Sequence, residues 1–417
     1  MNLKSLPYKI PSYYDQSPDL DLELPRSKSF ANRALILGAQ IGNGFIVENF
    51  PQSTDVLTLI DIFRKIGIRF KITERTLVFL NSFPECEDET EGEEIFLRTG
   101  DGGTTNRFII PLLCLGRKKY HLNPSHRMVD RPINDLIIAL KNVGINIEHK
   151  STQAWVSLQG PLNITLAEQG LSIDAQQSSQ LASALLLNLK IRKCKLEIHN
   201  QNAEYAYLKM TEHIANQVEN GVNVLNCPLD FSSLGYPLVL SILNGQLIAN
   251  ISGGIDKFQA DSILINILKN CGANIYIEND FLIGKKSKLK SFHQDVSICP
   301  DLAMTLGFLA SFIEGESVLY NVSVLRNKES DRLKELFNLF TLFKVNFKYD
   351  ENVDQLIING KASYQKVEPL NLALSHDHRV VMIASLFLSM HSGGEIAPPE
   401  AVEKSYPTFF QDLFNFY

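Results

Sequence analysis

The stretch DLAMTLGFLASFIEG, residues 301–315, places an acidic residue directly before an apolar run of helical length. Five other stretches share this plan of a polar opening followed by an apolar helix. The six copies begin at Lys28, Thr104, Ser178, Ser232, Asp301 and His376. Their starts lie 54 to 76 residues apart. A repeat of about 70 residues, short in its third copy, therefore accounts for nearly the whole chain.

Between the apolar runs lies a second helix pattern, which is amphipathic and leads into a strand. Its four clearest examples are residues 55–72, 134–149, 261–278 and 331–349. A helix that is apolar all round is buried, whereas an amphipathic helix faces water on one side. We therefore predict an α/β protein whose repeated unit is strand, helix, strand, helix, strand, strand (βαβαββ). An ordinary large α/β protein also spaces apolar helices along its chain, but six near-regular copies favour the repeat.

The length of 417 residues exceeds what a single hydrophobic core normally covers, so two domains are expected. Six units divide naturally into two sets of three. Prolines interrupt the periodicity near Leu24–Pro25 and around Cys227–Asp230. We predict that domain I comprises residues 1–24 and 229–417 and that domain II comprises residues 25–228, each with three repeats.

The composition limits the class of protein. Apolar residues make up 45% and charged residues 21%, and the net charge of -6 lacks the basic excess of nucleic-acid binders. The six cysteines show no paired spacing, which indicates reduced thiols rather than disulfides or a zinc site. The N-terminus has no signal-peptide pattern, and no apolar run approaches the roughly 18 residues of a membrane span. We expect a cytoplasmic protein without membrane or nucleic-acid partners.

Polar residues concentrate where the predicted helices begin. A helix N-terminus carries unsatisfied backbone N–H groups and a partial positive charge, so it attracts anions. The motifs at or near these ends are SKSFANR (27–33), TGDGGTTNR (99–107), PSHRMVDRP (124–132), QQSSQ (176–180), RNKESDR (326–332), SHDHR (375–379) and EKSYP (403–407). Each alone has an ordinary explanation as a helix cap or a solvated charge run. Their recurrence at corresponding ends of repeated helices favours a cationic cleft between two halves, holding two small phosphorylated anions.

Two of these motifs carry further expectations. Thr104 and Thr105 are expected to cap the helix that follows the glycine-rich turn. His376 and His378 stand two residues apart, a spacing that suits metal ligands, but no third cysteine or histidine cluster lies nearby in sequence. We therefore predict no metal site.

Taken in order, the motifs resemble the enolpyruvyl transferases. The matching stretches are SKSFANRAL, GDGGTTNR, RMVDRP, SSQLASALL, PDLAMT, KESDRL, DHRVVM and EKSYP, which run from Lys28 to Pro407. The resemblance implies two domains of three βαβαββ units each, the inside-out α/β barrel of that family. It also implies an enzyme that needs no metal or organic cofactor. Separately, we expect a monomer.

The branch of the family that these motifs match best uses phosphoenolpyruvate and shikimate 3-phosphate. The resemblance implies transfer of the enolpyruvyl group to the 5-hydroxyl of shikimate 3-phosphate, with release of phosphate, on the route to aromatic amino acids. Addition to the enol double bond needs a base for the hydroxyl proton and an acid for the methylene carbon, and elimination reverses these roles. By resemblance Asp301 is the base, and Glu329 with Lys28 handles the methylene proton.

The resemblance also distributes the binding residues. Phosphoenolpyruvate carries a phosphate and a carboxylate, so two cationic clamps are needed. The residues implied for phosphoenolpyruvate are Lys28, Gly103, Arg127, Gln180, Arg332, Arg379 and Lys404. Those implied for shikimate 3-phosphate are Lys28, Ser29, Arg33, Ser178, Ser179, Gln180, Tyr205, Asp301 and Lys328. Because both halves contribute, the site is expected to be complete only when the domains close.

Some positions depart from the family pattern. Asp101 stands where asparagine is usual, which places an acid near the expected phosphate site. Asn202 replaces a serine beside the expected shikimate 3-phosphate site, and Val324 replaces an asparagine that would donate a hydrogen bond. These departures are expected to alter substrate affinity, whereas the proposed acid, base and anion clamps are all present.

Two alternatives stay open. The sister activity of the family transfers enolpyruvyl to UDP-N-acetylglucosamine, but its enzymes begin the first motif with Lys-Asn, whereas this chain has Lys28-Ser29. They also carry a reactive cysteine before the phosphate-binding arginine, and residues 121–131 contain none. Cys114 lies in an apolar helix, where a thiol is expected to be inert. A non-catalytic anion-binding homologue is the second alternative, and the presence of Asp301, Glu329 and Arg332 argues against it.

Overall fold

The computed structural model describes residues 6–13, 17–87, 93–150, 154–200, 205–361 and 368–414. Within them the chain forms 21 strands and 14 α-helices. The strands are β1 (Tyr8–Ile10), β2 (Asp19–Glu23), β3 (Ile46–Glu48), β4 (Phe70–Thr73), β5 (Thr76–Phe79), β6 (Glu94–Gly100), β7 (Lys119–Pro124), β8 (Asn146–His149), β9 (Val156–Gln159), β10 (Leu171–Asp174), β11 (Leu196–His199), β12 (Val224–Asn226), β13 (Gln246–Asn250), β14 (Asn274–Glu278), β15 (Phe281–Lys285), β16 (His293–Asp295), β17 (Gly315–Tyr320), β18 (Asn346–Asp350), β19 (Gln355–Gly360), β20 (Leu370–Ala373) and β21 (Gly394–Ala397).

The helices alternate with these strands. They are α1 (Lys28–Ile41), α2 (Thr54–Lys65), α3 (Gly103–Leu113), α4 (His126–Val129), α5 (Asn134–Asn142), α6 (Ile164–Gln169), α7 (Ser179–Leu189), α8 (Tyr205–Glu219), α9 (Phe231–Asn244), α10 (Leu264–Asn270), α11 (Ala303–Ser311), α12 (Arg332–Leu342), α13 (His378–Ser389) and α14 (Phe409–Phe414). Among the described residues, no helix combines the length and apolar character needed to cross a membrane.

The chain divides into two compact units, one of Met1–Pro25 with Leu229–Tyr417 and one of Arg26–Pro228. In the first unit, β2, β13, β15 and β14 form one sheet, and β16, β17, β19 and β18 form a second. In the second unit, the corresponding sheets are β12-β3-β5-β4 and β6-β7-β9-β8. Each of these four sheets joins a parallel pair to an antiparallel hairpin.

These four sheets confirm the predicted βαβαββ unit. In the unit that starts at β16, helix α11 connects the parallel strands β16 and β17, and α12 leads to the hairpin β18-β19. The unit of α1 is completed differently, since its first strand is β12, which comes from the far end of the same compact unit. Sequence order alone does not reveal this substitution.

The other two copies are reduced. Among its described residues the third contains only the parallel pair β10-β11, in agreement with its predicted shortness. The sixth contains the parallel pair β20-β21, and β1 from the N-terminus pairs antiparallel with β21. In the sixth copy β1 therefore takes the position that an antiparallel hairpin strand, such as β19, takes in the complete sheets.

Burial separates the two helix types as predicted. Every residue of α3, α11 and α13 is buried. In the amphipathic helix α2, six residues are buried, including Val56, Leu59 and Phe63. The apolar helices α3, α11 and α13 are therefore enclosed along their whole length.

A positive-φ residue follows each amphipathic helix and lets the chain turn back into a strand. Gly67, Gly144 and Gly272 serve this purpose with φ of 89°, 85° and 92°. After α12 the same position is Lys344, with φ of 55°. A residue with a side chain adopts a positive φ less readily than glycine. The turn after α12 is therefore less favourable than the three turns that contain glycine.

A glycine in α1 allows this helix to pack closely on aromatic rings. A Cβ atom at Gly38 would lie 2.8 Å from ring carbons of both Phe45 and Phe79, which are themselves buried. At Gly235 in α9, the nearest atom would be 3.4 Å away, at ordinary van der Waals distance.

We predict opposite outcomes for alanine at these two glycines. Gly38→Ala should lower the free energy of unfolding by about 1–3 kcal/mol, because the rings must shift in a packed core. Gly235→Ala should leave it unchanged or raise it by up to about 1 kcal/mol, because alanine favours the helix. Urea unfolding of both variants checks this, and equal effects would contradict the packing described.

Candidate active site

In residues 229–417, acidic and basic residues from several helix ends form one buried cluster around Arg332. Arg332 is the first residue of α12 and is 3% exposed. Its Nη1 donates to Asp301 Oδ1 over 3.1 Å. Its Nε and Nη2 donate to the two carboxylate oxygens of Asp377 over 2.8 and 3.2 Å. Because Nη2 also lies 3.8 Å from Glu329 Oε2, one guanidinium contacts three carboxylates.

The charges in this cluster stabilise one another. Burial alone would lower the pKa of Arg332, but Asp377, Glu329 and Asp301 together raise it above its ordinary value. Burial would likewise raise the pKa of Asp377, but Arg332 outweighs this effect and lowers it. Both groups are therefore ionised near neutral pH.

Asp377 owes its position to helix capping. It is the N-cap of α13 and accepts a hydrogen bond from the Arg379 backbone N–H over 3.0 Å. Ser330 Oγ donates to its other oxygen over 3.1 Å. Sequence reasoning assigned Asp377 no function, although an acid directly before an apolar helix is a recognisable cap signal.

Glu329 lies between two nitrogen groups. Its Oε2 is 2.9 Å from His378 Nδ1, and its Oε1 is 3.1 Å from Lys404 Nζ. Burial would raise the pKa of Glu329, but Lys404 and His378 outweigh this and hold it well below the ordinary range. Glu329 is therefore a carboxylate at rest. The sequence motif suggests His378 only as a metal ligand and does not predict its contact with Glu329.

Asp301 is held from a second side by Arg379. Nη2 of Arg379 lies 2.9 Å from Asp301 Oδ2, and Nη1 donates to the Asp301 carbonyl over 3.2 Å. Nη1 also donates to Ser232 Oγ over 2.6 Å. The Asp301 side chain keeps 24% of its surface exposed, compared with 13% for Glu329 and 0% for Asp377. It is thus the carboxylate best placed to meet a ligand.

A further buried carboxylate lies near this pair. Asp261 is 3% exposed, and its Oδ1 has no hydrogen-bond partner among the described residues. Burial, followed by the charge of Asp301, raises its pKa to about 7, and Arg379 only partly offsets this. Its place at the start of a short 3-10 turn, Ala260–Ile263, gave no signal in the sequence.

Within the described residues, Glu329, Asp377 and His378 form a group whose ligand atoms all lie within 4.8 Å of one another, as metal ligands do. The same carboxylates already contact Arg332 and Lys404. A metal ion here would therefore face two fixed positive charges and compete with them for the same carboxylates.

In residues 26–228, Lys28 opens α1 after the N-cap Ser27. Its Nζ lies 3.0 Å from Oδ2 of Asp55, which is 3% exposed. The Asp55 carboxyl also borders the N-cap of α3, since a Cβ at Gly102 would lie 2.7 Å from it. Asp55 therefore connects Lys28 with the start of α3, a role that the sequence did not indicate.

The starts of α3 and α7 meet at Gly103 and Gln180. A Cβ at Gly103 would lie 2.8 Å from Gln180 Oε1, which accepts a hydrogen bond from Arg107 Nη1 over 2.7 Å. Ser178 is the N-cap of α7 and accepts from the Gln180 backbone N–H. The structure thus brings together Gly103, Ser178 and Gln180, three of the residues named by resemblance.

Arg33 lies in an enclosed position between α1 and α8. It is 1% exposed and donates to Thr211 Oγ1, the Tyr207 carbonyl and the Ser29 carbonyl over 2.7, 3.2 and 2.7 Å. Burial lowers its pKa to about 10. These contacts link Ser29 at the start of α1 to α8.

The expected threonine cap of α3 is wrong. The N-cap is Gly102, and Thr104 and Thr105 lie inside the first turn. Thr104 Oγ1 accepts from Asn32, and Thr105 Oγ1 donates to the Asp55 carbonyl over 3.0 Å. These hydroxyls therefore contact neighbouring elements and not the N–H groups of their own helix.

For the other residues singled out in the sequence, the structure gives fewer contacts. Arg127 lies on α4 and Lys328 precedes Glu329, both half-buried. Tyr205 begins α8, but its side chain lies outside the described part of the chain, as does the whole of Asn202. Val324 packs against the core.

Cys114 is buried beside the apolar helix α3, and burial raises its pKa. A thiol in this state is a poor nucleophile. Its placement therefore supports the inert role expected from the sequence.

Comparison with known proteins identifies relatives along the whole chain. The family model described as EPSP synthase (3-phosphoshikimate 1-carboxyvinyltransferase) matches residues 19–413. A 3-phosphoshikimate 1-carboxyvinyltransferase of Vibrio vulnificus (strain YJ016) is 29% identical, over 94% of this chain and 95% of its own length. One of Pasteurella multocida (strain Pm70) is 28% identical, over 95% and 94%.

Solved structures share the fold. EPSP synthase from Acinetobacter baumannii superposes with a TM-score of 0.75 at 21% identity, over 97% of this chain and 96% of that one. The enolpyruvyl transferase NikO from Streptomyces tendae gives a TM-score of 0.70 at 12% identity, over 98% and 97%. The predicted fold class is therefore confirmed.

The buried carboxylate Asp261 generates a pH prediction. Its folded pKa of about 7 exceeds the ordinary value of 3.8, so the folded state binds the extra proton between these values. The wild type should therefore lose stability as the pH rises through this window, by roughly a few kcal/mol. Asp261→Asn removes the titration, so its urea midpoint should rise relative to wild type between pH 5 and pH 8.

Asp280→Asn is the matched control, since Asp280 is an exposed carboxylate in the turn between β14 and β15. The difference in urea midpoint between Asp280→Asn and wild type should be the same at pH 5 and at pH 8. A difference for Asp261→Asn that also stays constant would contradict the burial of an ionisable group at this position.

Proposed function

Because the chain belongs to the EPSP synthase family, we propose that it transfers the enolpyruvyl group of phosphoenolpyruvate to the 5-hydroxyl of shikimate 3-phosphate. The reaction releases phosphate and serves aromatic amino acid biosynthesis. The observation that carries this proposal is the Arg332 cluster. It joins Asp301, Glu329, Arg379 and Lys404, which the family motifs mark as catalytic or substrate-binding, in one network of direct contacts.

Asp301 is proposed as the base for the 5-hydroxyl proton. A base must be ionised and reachable, and Asp301 has two guanidinium partners and the most exposed carboxylate of the pairs that Arg332 makes. Taking the hydroxyl proton frees the oxygen to attack C2 of phosphoenolpyruvate. The same proton is available to the departing phosphate in the elimination step.

Glu329 is proposed to exchange the proton of the methylene carbon. As a resting carboxylate it suits the elimination step, in which the methyl group of the tetrahedral intermediate loses a proton. For the addition step it must first hold a proton, and its neighbours Lys404 and His378 are nitrogen groups that can share one with it. Lys28 is the further donor that the resemblance names.

The carboxylate of phosphoenolpyruvate is assigned to Arg332 and Arg379. A guanidinium offers five N–H donors, and Arg332 uses three in its hydrogen bonds to Asp301 and Asp377. Planar guanidinium groups suit bidentate pairing with a carboxylate. The internal carboxylates hold both arginines in place before the substrate arrives.

Charge balance explains why the cations of residues 26–228 are also needed. Three carboxylates, Asp301, Glu329 and Asp377, already neutralise Arg332, Arg379 and Lys404. Two phosphorylated substrates add several negative charges. We assign the shikimate 3-phosphate contacts to Lys28, Ser29, Arg33, Ser178, Ser179, Gln180, Tyr205, Asp301 and Lys328. The phosphate of phosphoenolpyruvate is assigned to Lys28, Gly103, Arg127, Gln180 and Lys404.

We further propose that the two compact units are the two domains of three repeats, and that the enzyme is a cytoplasmic monomer.

The first test is a comparison of acceptors. The purified protein is incubated with phosphoenolpyruvate and either shikimate 3-phosphate or UDP-N-acetylglucosamine, and phosphate release is followed. We expect release only with shikimate 3-phosphate. Release with the nucleotide sugar, or with neither acceptor, would contradict the proposed substrate.

The second test concerns Asp301. Asp301→Asn keeps the size of the side chain but removes the base, so kcat should fall by roughly 10²- to 10⁴-fold. Asp295→Asn is the matched control, because Asp295 lies a few residues earlier, where its side chain caps a short 3-10 turn, Val296–Ile298, and contacts Ser297 and Asn321. Its kcat should stay within about threefold of wild type. Equal kcat values for both variants would remove Asp301 from its role.

A further inference from the structure

Arg131 is a guanidinium to which the sequence analysis gave no role, and it lies against the first residue of α3. A Cβ at Gly103 would stand 2.7 Å from its Nη1 and 2.9 Å from its Nη2. Gln180 Oε1 lies 2.8 Å from the same point. The guanidinium therefore sits at the place where the ends of α3 and α7 meet.

The hydrogen bonds of Arg131 are incomplete. Among the described residues, its side chain has one acceptor, the Met128 Sδ atom at 3.9 Å, and a thioether is a weak acceptor. Its Nε is buried without a partner. Arg107 nearby differs, since it donates to the Pro132 carbonyl and to Gln180 Oε1. Arg131 thus has several N–H donors but, among the described residues, only this weak acceptor.

The positive charge at this end of α3 is only partly balanced, because the Asp55 carboxyl that borders the N-cap Gly102 is already paired with Lys28. A helix N-terminus carries a partial positive charge, so a cation beside it is repelled. The N-cap Gly102 provides no side-chain hydrogen bond to the first N–H groups of α3. An anion at this point would accept hydrogen bonds from Arg131 and from the helix, and would neutralise both charges.

We propose that Arg131 binds the phosphate of a substrate phosphomonoester at the start of α3, and this assignment rests on the proposed function. Both substrates carry such a phosphate. The neighbouring Gly103 was assigned to phosphoenolpyruvate by resemblance, so the phosphate of phosphoenolpyruvate is the expected occupant. Arg127, four residues earlier, is the cation that the resemblance names for this phosphate, and Arg131 acts beside it.

The first experiment titrates the protein with inorganic phosphate, which requires no turnover. Trp155 is the only tryptophan, and its Nε1 donates to the Val129 carbonyl over 3.2 Å in the segment that leads to Arg131. Calorimetry gives the affinity, and Trp155 fluorescence reports on this segment. Arg131→Gln should weaken phosphate binding roughly ten- to hundredfold, the loss expected for hydrogen bonds to a charged group. Arg131→Lys keeps the charge but loses the planar guanidinium, so its phosphate affinity should lie between those of wild type and Arg131→Gln.

Arg64→Gln is the matched control. Arg64 is a surface guanidinium of the same unit that pairs with Asp61 on α2. Its phosphate affinity should match wild type. The thermal midpoint of each variant without phosphate shows whether it is folded, and Arg131→Lys carries the test if Arg131→Gln does not fold.

Steady-state kinetics identify the substrate. A rise of roughly ten- to hundredfold in KM for phosphoenolpyruvate alone supports the assignment to that phosphate. A rise in KM for shikimate 3-phosphate alone supports the same site with the other substrate. Unchanged phosphate affinity, or weaker phosphate binding with both KM values unchanged, overturns the proposal. If the wild type shows no transfer at all, the proposed function fails while the phosphate titration still decides the role of Arg131.

Discussion

The Arg332 guanidinium bonds Asp301 and Asp377 and approaches Glu329 in surroundings that leave it 3% exposed. A buried charge is tolerated only when it is paired, and breaking such a pair typically costs about 3–5 kcal/mol. The cluster therefore fixes its carboxylates in both position and charge. Helices α11, α12 and α13 begin around it, so the fold of this unit and the proposed chemistry depend on the same ion pairs.

The apolar helices explain how such a cluster can exist. Because α11 and α13 are buried along their whole length, the buried charged groups around them lie only at their N-terminal ends. Asp377 caps α13 and also pairs with Arg332, so one side chain satisfies the helix and the cluster together. The same principle operates in residues 26–228, where the ends of α3 and α7 gather Gly103, Gln180 and Arg131.

Periodicity and local motifs predicted the repeat, the two helix types and the residues at their ends. Contacts between distant segments were not accessible in this way. Asp55 is buried beside Lys28 in one unit, and Asp261 is buried in the other unit within the electrostatic influence of Asp301, although their local sequences are ordinary. The proposed role of Arg131 follows only from its approach to Gly103. The threonine cap failed for the same reason, because the hydroxyl of Thr105 bonds to the Asp55 carbonyl and not to its own helix.

The central claim is that the carboxylates held by Arg332 exchange protons with the substrates during addition and elimination. The most direct measurement is of the product formed in D2O from phosphoenolpyruvate and shikimate 3-phosphate. If C3 gains and then loses a proton, the methylene group of the product contains deuterium, and mass spectrometry detects it. A product whose methylene carries only the original hydrogens would show that transfer proceeds without protonation at C3, and would contradict this account.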